Sequence, residues 1–208
     1  MKTLKFLIWL SIFLSCLGVV VYVFWSEEVR FWQPTPKPNY VKEINKGELA
    51  PLKVINRKQQ LKRPLLLHFF NPDCPCSRFN FKEFKKMTSD YHGKIDFLLV
   101  AQTETNIPDL EEEISSKLFN EIDVIIDTSG KVAKEFGIYS SPQVVLVNED
   151  GYIYYKGNYN STRYCTKKET AYAAISIDEL LGNKKSPDFN QAATTPYGCV
   201  LPSYVEKK

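Results

Sequence analysis

The sequence predicts an α/β protein: a central mixed sheet flanked by helices, preceded by a single N-terminal transmembrane helix. Three observations predict it. From Phe6 to Trp25 the chain carries no charge. From Leu65 onward, short apolar runs rich in β-formers alternate with segments of helical periodicity. Near the end of that region, two such runs flank the turn signal Asn148-Glu149-Asp150-Gly151, which reads as a hairpin closing the sheet with an antiparallel edge.

The uncharged run comes first. At about 1.5 Å per residue its twenty residues span roughly 30 Å, the thickness of a hydrocarbon core. Lys2 and Lys5 precede it, while Glu27, Glu28 and Arg30 follow. Tyr22 and Trp25 fall at its far end, where aromatic rings favour the interface. The charge asymmetry predicts a single-pass protein of the inner (cytoplasmic) membrane, with its N-terminus cytoplasmic and the remainder periplasmic or extracytoplasmic. A cleaved signal peptide would carry a shorter apolar run ending in small residues. Here the end is Val23-Phe24-Trp25-Ser26-Glu27-Glu28, so residues 1–25 are expected to stay as an anchor. Cys16, inside the span, reads as a small apolar side chain.

Residues 26–58 are expected to form a stem. Pro34, Pro36 and Pro38 fix φ and favour an extended, polyproline-like backbone. Residues 59–208 then form the folded domain with its C-terminal tail. In it, "LLLHFF" at 65–70 suits a strand buried on both faces, and Phe79, Phe81, Phe84 and Met87 mark a helix over 75–90. "KIDFLLVAQ" (94–102) is a second strand. "IPDLEEEISSKLFNE" opens with Pro and acidic residues, as helix N-termini do. "DVIIDT" is a third strand, "GKVAKEFG" a short helix closed by Gly137, and "KKETAYAAISIDELLG" a last amphipathic helix. The order is β-α-β-α-β-α-β-β-α.

The net charge of +3 includes Lys2 and Lys5, so the rest is nearly neutral. That gives no electrostatic footprint for nucleic acid. No Gly-rich phosphate loop and no H-E-x-x-H pattern is present, and no cofactor is called for. Outside the membrane run lie Cys74, Cys76, Cys165 and Cys199. An even number in an oxidising compartment permits disulfides without saying which pair.

The chemistry concentrates at "FFNPDCPCSRFN", residues 69–80, where a buried strand turns into a helix. A strand, then a cysteine motif opening a helix, then "SSPQVVLV" with Ser141-Pro142 entering a hairpin, resembles the thioredoxin superfamily over residues 60–182. It also resembles bacterial membrane-tethered thioredoxin-like proteins with a Cys-Pro-Cys motif. The family's typical W-C-x-x-C aligns Cys74 with the first cysteine, which puts Asp73 at the Trp position and Ser77 at the second cysteine. The departure leaves a C-x-C followed by Ser, as in monothiol members. The resemblance implies a thiol–disulfide oxidoreductase acting on protein thiols and disulfides, with Cys74 as nucleophile. It also implies a cis Pro142 beside it, and Ser141 offering backbone groups to an extended substrate. A thiol at a helix N-terminus faces unpaired N–H groups and the positive end of the helix dipole, both of which favour the reactive thiolate. Asp73 acts in the opposite direction. The resemblance also makes His68 a candidate proton acceptor, at the position where members often bury an acid.

Cys76 is the nearest resolving thiol, while Cys165 or Cys199 would resolve without the strain of a very small ring. A structural disulfide between Cys165 and Cys199, fixing the tail, is the expected pairing for those two. The alternatives are a thiolate site for copper or zinc and a non-catalytic interaction domain. A peroxiredoxin would place Thr where Asn71 stands.

Overall fold

Leu65–Phe70 form β1, and all six residues are buried. A strand can be buried on both faces only at the centre of a covered sheet, and β1 sits there. It pairs in parallel with β2 (Asp96–Ala101) and antiparallel with β5 (Gln143–Val147). β3 (Asp123–Ile126) adds to β2 in parallel, and β6 (Ile153–Gly157) adds to β5 antiparallel. The sheet order is β3-β2-β1-β5-β6. β4 (Ser140–Ser141) and β7 (Cys199–Val200) make a separate two-stranded ribbon. The computed structural model describes residues 2–103, 109–117 and 122–205.

The period of two along β1 sorts its side chains onto the two faces. Leu66 and Phe70 join a core cluster with Phe84, Met87, Leu99, Tyr172 and Ile177. This is the face covered by α2 (Pro75–Asp90) and α5 (Tyr172–Leu181). Leu65, Leu67 and Phe69 join the opposite cluster with Val132, Phe136 and Ile138, around α4 (Lys131–Glu135). Full burial of a side chain such as Phe84 contributes about 1.5–3 kcal/mol. α3 (Leu110–Lys117) lies between β2 and β3 in sequence, and α6 (Gln191–Thr194) is a single turn in the tail. The hairpin between β5 and β6 turns at Asn148–Gly151, where the Tyr152 amide donates to Asn148 Oδ1 at 2.8 Å.

The expected element order is thus observed, with β4, α6 and β7 in addition. Parallel β1, β2 and β3, an antiparallel hairpin β5–β6, α2 following β1, and a cis Ser141-Pro142 bond entering β5 together make the thioredoxin-like fold.

The chain divides at Pro34–Thr35 into two units. In the first, α1 (Lys2–Glu27) runs 26 residues with none buried, long and apolar enough to cross a membrane. The second unit corrects the stem expected over 26–58. From Thr35 the segment belongs to the domain: the Thr35 amide donates to the Pro196 carbonyl at 2.8 Å. Ile44, Ala50, Leu52 and Ile55 are buried in the second core cluster, and Leu49 bridges Tyr152. The reason is apolar burial without a sustained period: Ile44, Ala50, Leu52 and Ile55 keep no single spacing, with only Leu52–Ile55 in a short 3-10 turn, so they resemble a linker in sequence while packing as core.

Candidate thiol–disulfide site

The loop between β1 and α2 is fixed by its own polar groups. The Asp73 amide donates to Asn71 Oδ1 at 2.8 Å, and the Cys74 amide donates to the Asn71 carbonyl at 3.1 Å. On the other side of the turn, the Asn71 amide donates to Ser77 Oγ at 3.3 Å. These bonds deliver Cys74 to the N-cap of α2, with extended dihedrals and Pro75 at the first helical position. Pro there removes no helix hydrogen bond. Asp73 turns aside, its Oδ2 accepting from Thr103 Oγ1 at 2.6 Å.

Beside this cap stands the cis Ser141-Pro142 peptide. Cys74 Sγ lies 3.7 Å from the Ser141 carbonyl oxygen. Ser77, in the place of the family's second motif cysteine, donates its hydroxyl to Ser141 Oγ at 3.1 Å. It ties the first turn of α2 to the proline loop, a role that a search for thiols passes over. Ser140 and Ser141 are fully buried.

Cys74 is disulfide-bonded to Cys199 across 125 residues of sequence. This corrects the expected Cys165–Cys199 pairing, and it means that neither Cys76 nor Cys165 holds Cys74 in this state. The physical reason is the β4–β7 ribbon. It pairs Ser141 with Cys199 and Ser140 with Val200, and the Leu201 amide donates to the Tyr139 carbonyl at 2.8 Å. Main-chain pairing therefore carries Cys199 to the cis-proline loop. The only warning in the sequence was "TPYGCVLP", an apolar interruption in a polar tail. Thr35 secures the same strand. Its Oγ1 lies 2.7 Å from Ser140 Oγ and donates to the Gly198 carbonyl at 3.3 Å. As a result Cys74 is sealed, at 1% exposure, rather than open to solvent. Cys199 remains partly exposed.

The other thiols sit elsewhere. Cys76 is buried in the first turn of α2 and outside any disulfide. Cys165 accepts a hydrogen bond from Asn80 Nδ2 at 3.2 Å. Burial pushes its thiol up to about 11, against the opposing effect of that Asn80 donor.

His68 is fully buried, its ring stacked on Phe84 at 4.4 Å between centroids. Its Nδ1 pairs with the Tyr159 hydroxyl at 2.7 Å. Burial holds its pKa down at about 3, so it is neutral at physiological pH and very weakly basic. Geometry and charge describe a core histidine held by a tyrosine through one ring nitrogen, while its Nε2 is buried with no hydrogen-bond partner among the described residues. Among the described residues no group of three or more His, Cys, Asp or Glu is placed to hold a metal ion.

No curated protein sequence matches the chain. Among solved structures, it is similar to a hypothetical protein from Sinorhizobium meliloti at 16% identity and a TM-score of 0.61, covering 80% of this chain and 98% of that one. It is also similar to an uncharacterized conserved protein from Geobacillus kaustophilus at 16% identity and a TM-score of 0.65, covering 81% and 96%. A putative thioredoxin from Neisseria meningitidis matches at 21% identity and a TM-score of 0.48, covering 62% and 81%. At these identities the likenesses speak to fold alone. A family model matches residues 45–200, most of the folded unit, and the chain belongs to that family, a domain of unknown function (DUF6436).

Proposed function

We propose that the protein is a thiol–disulfide oxidoreductase in which Cys74 is the nucleophile and Cys199, rather than Cys76, is its disulfide partner. One observation carries the reading: Cys74 caps α2 beside the cis-proline loop and is joined to a cysteine on the strand paired with that loop. When the bond is reduced, the sulfur left on Cys74 sits at the N-terminal end of a 16-residue helix, where the helix dipole is positive. That position stabilises a thiolate, and a stabilised thiolate is both an attacking group at neutral pH and a good leaving group. The substrates are protein thiols and disulfides. Ser141 and Pro142 present the loop against which such a chain is held, and His68 has no assigned step.

Anchorage and compartment belong to the same proposal. α1 would cross the inner membrane once, with Lys2 and Lys5 on the cytoplasmic side. The domain from Thr35 would then work in the periplasm or an equivalent oxidising space, where a disulfide persists.

The test is thiol alkylation of the reduced full-length chain across pH. One cysteine should titrate well below an ordinary thiol, and Cys74→Ser should remove that titration. If every thiol titrates as a free cysteine does, and Cys74–Cys199 resists a dithiol reductant, the bond is a structural staple and the enzymatic reading fails.

A further inference from the structure

Resting on that reading, we propose that the groove along Ser140–Ser141 is a binding site selective for extended segments with glycine immediately before cysteine. The chain's own Gly198-Cys199 occupies it, and a partner's Gly-Cys segment takes the same place during exchange.

The groove's occupant is held chiefly by groups any polypeptide carries. β7 contributes two paired residues and a flanking amide to β4, which has no other strand neighbour among the described residues. Main-chain pairing of this kind is how extended segments add to an open edge. Selectivity comes from what lies around that pairing. A Cβ on Gly198 would fall 2.1 Å from the Ser141 carbonyl oxygen and 3.0 Å from its carbon. Gly198 also has φ +140, a region that L side chains rarely adopt. The obstacle is backbone, and Ser141 is held by Ser77 and by the peptide to Pro142, so it cannot swing aside as a flexible side chain would. Thr35 Oγ1 donates to the carbonyl of the same glycine. Immediately after the cysteine, Val200 stays partly exposed, while the next residue, Leu201, is buried in the core. The ligand pattern is therefore glycine, cysteine, a tolerant position, then an apolar residue.

The exchange balances as follows. A dithiol donor reduces Cys74–Cys199 and becomes a disulfide, leaving both cysteines as thiols. Cys74 thiolate then attacks the cysteine sulfur of a partner's disulfide, forming a mixed disulfide and expelling the partner's other sulfur as thiolate. Cys199 thiolate next attacks Cys74 Sγ, re-forming the Cys74–Cys199 bond and expelling the partner's cysteine as thiolate. Because Cys199 and the partner segment claim one groove, resolution and release of the partner are the same event.

The test uses the full chain carrying Gly198→Ala and Cys199→Ser, so that the same misfit clears its own segment from the groove, and two synthetic peptides. One copies residues 195–202, Thr-Pro-Tyr-Gly-Cys-Val-Leu-Pro, and the other has Ala in place of Gly. Each carries an aromatic thiol in disulfide linkage on its cysteine, and the released thiol is read by absorbance. A small aromatic disulfide measures Cys74 reactivity without using the groove. The Gly peptide is expected to transfer to Cys74 at least about tenfold faster than the Ala peptide, the factor that about 1.4 kcal/mol of misfit gives. Equal rates for both peptides, with rapid reaction of the small disulfide, overturn the groove's selectivity and leave the enzymatic reading standing. No reaction of the small disulfide beyond an ordinary thiol's overturns both.

Discussion

Cys74 and Cys165 both contact α2, and they meet it at different points. Cys74 is its N-cap, while Cys165 lies beside Asn80, six residues or roughly 9 Å along the axis. The cap position offers unpaired amides and the positive end of the helix dipole, and those effects fade within the first turn. At Asn80 the backbone N–H groups are already spent on the helix, so burial dominates and the Cys165 thiol is pushed up to about 11. The same helix can therefore prepare one sulfur for attack and leave another inert. What differs is not the residue type but which backbone dipoles are still unsatisfied where the sulfur meets the helix.

The largest effect should come from deleting one sulfur and then the other. Cys74→Ser is expected to abolish disulfide exchange with a model protein substrate, to the background rate. Cys165→Ser should leave it within about twofold, since surface or satellite substitutions away from a site usually act weakly. An exchange assay that loses equal activity in both variants breaks the contrast.

Next comes stability. Cys74–Cys199 closes a loop of 125 residues in sequence separation, so removing it releases denatured-state entropy. Cys199→Ser should lower the unfolding free energy by about 2–4 kcal/mol, read as a lower urea midpoint with a steeper slope, because the unlinked denatured chain exposes more surface. Cys165→Ser, with no covalent partner, should shift the midpoint far less. A Cys199→Ser midpoint equal to wild type would mean that the tail is held by its main-chain bonds alone.

These two predictions mark what the sequence made legible. β1, α2, β2, β3 and the β5–β6 hairpin follow from apolar period and turn chemistry, which are local. So does the placement of Cys74 at a helix start, and the superfamily resemblance located the cis Pro142. The partner of Cys74 was not legible, because a two-residue ribbon such as Ser140–Ser141 with Cys199–Val200 has no period to read. Its pairing depends on Thr35, Ser77 and Tyr139, which converge only after folding. The segment from Thr35 to Ile55 was hidden for a related reason: its prolines are conspicuous, while Ile44, Ala50, Leu52 and Ile55 reach the core without one sustained spacing. His68 was legible as a position and misleading as a role, since Tyr159 and Phe84, which set its environment, come from elements distant in sequence.

His68 lies on the α2 face of the sheet and sharpens the contrast through pH. Its folded pKa is held at about 3 by burial, below the roughly 6.5 of an exposed imidazole. Between those values the unfolded chain takes up a proton that the folded chain refuses, so stability falls as pH drops below about 6.5. The loss attributable to this one group is up to about 1.4 kcal/mol per pH unit in that window. His68→Gln should flatten the difference, and urea titrations of both proteins at pH 7.5, 6 and 5 would read it. Parallel curves for the two proteins would place the acid sensitivity in carboxylates instead.

The smallest expected effect tests the Cys165 side of the comparison directly. Asn80 Nδ2 donates to the Cys165 sulfur, and this is the one influence that lowers the thiol's pKa against burial. Asn80→Ala removes the donor while leaving the helix backbone and the N-cap in place. The Cys165 pKa should therefore rise further, and alkylation of Cys165 at pH 9 should slow by a factor of about 2–10, the worth of one hydrogen bond. Cys74 alkylation in the reduced protein should be unchanged, because its stabilising amides belong to the first turn and not to Asn80. Faster labelling of Cys165 in the variant would show that the amide shields the thiol more than it polarises it, and the account of why this sulfur is quiet would shift from electrostatics to access.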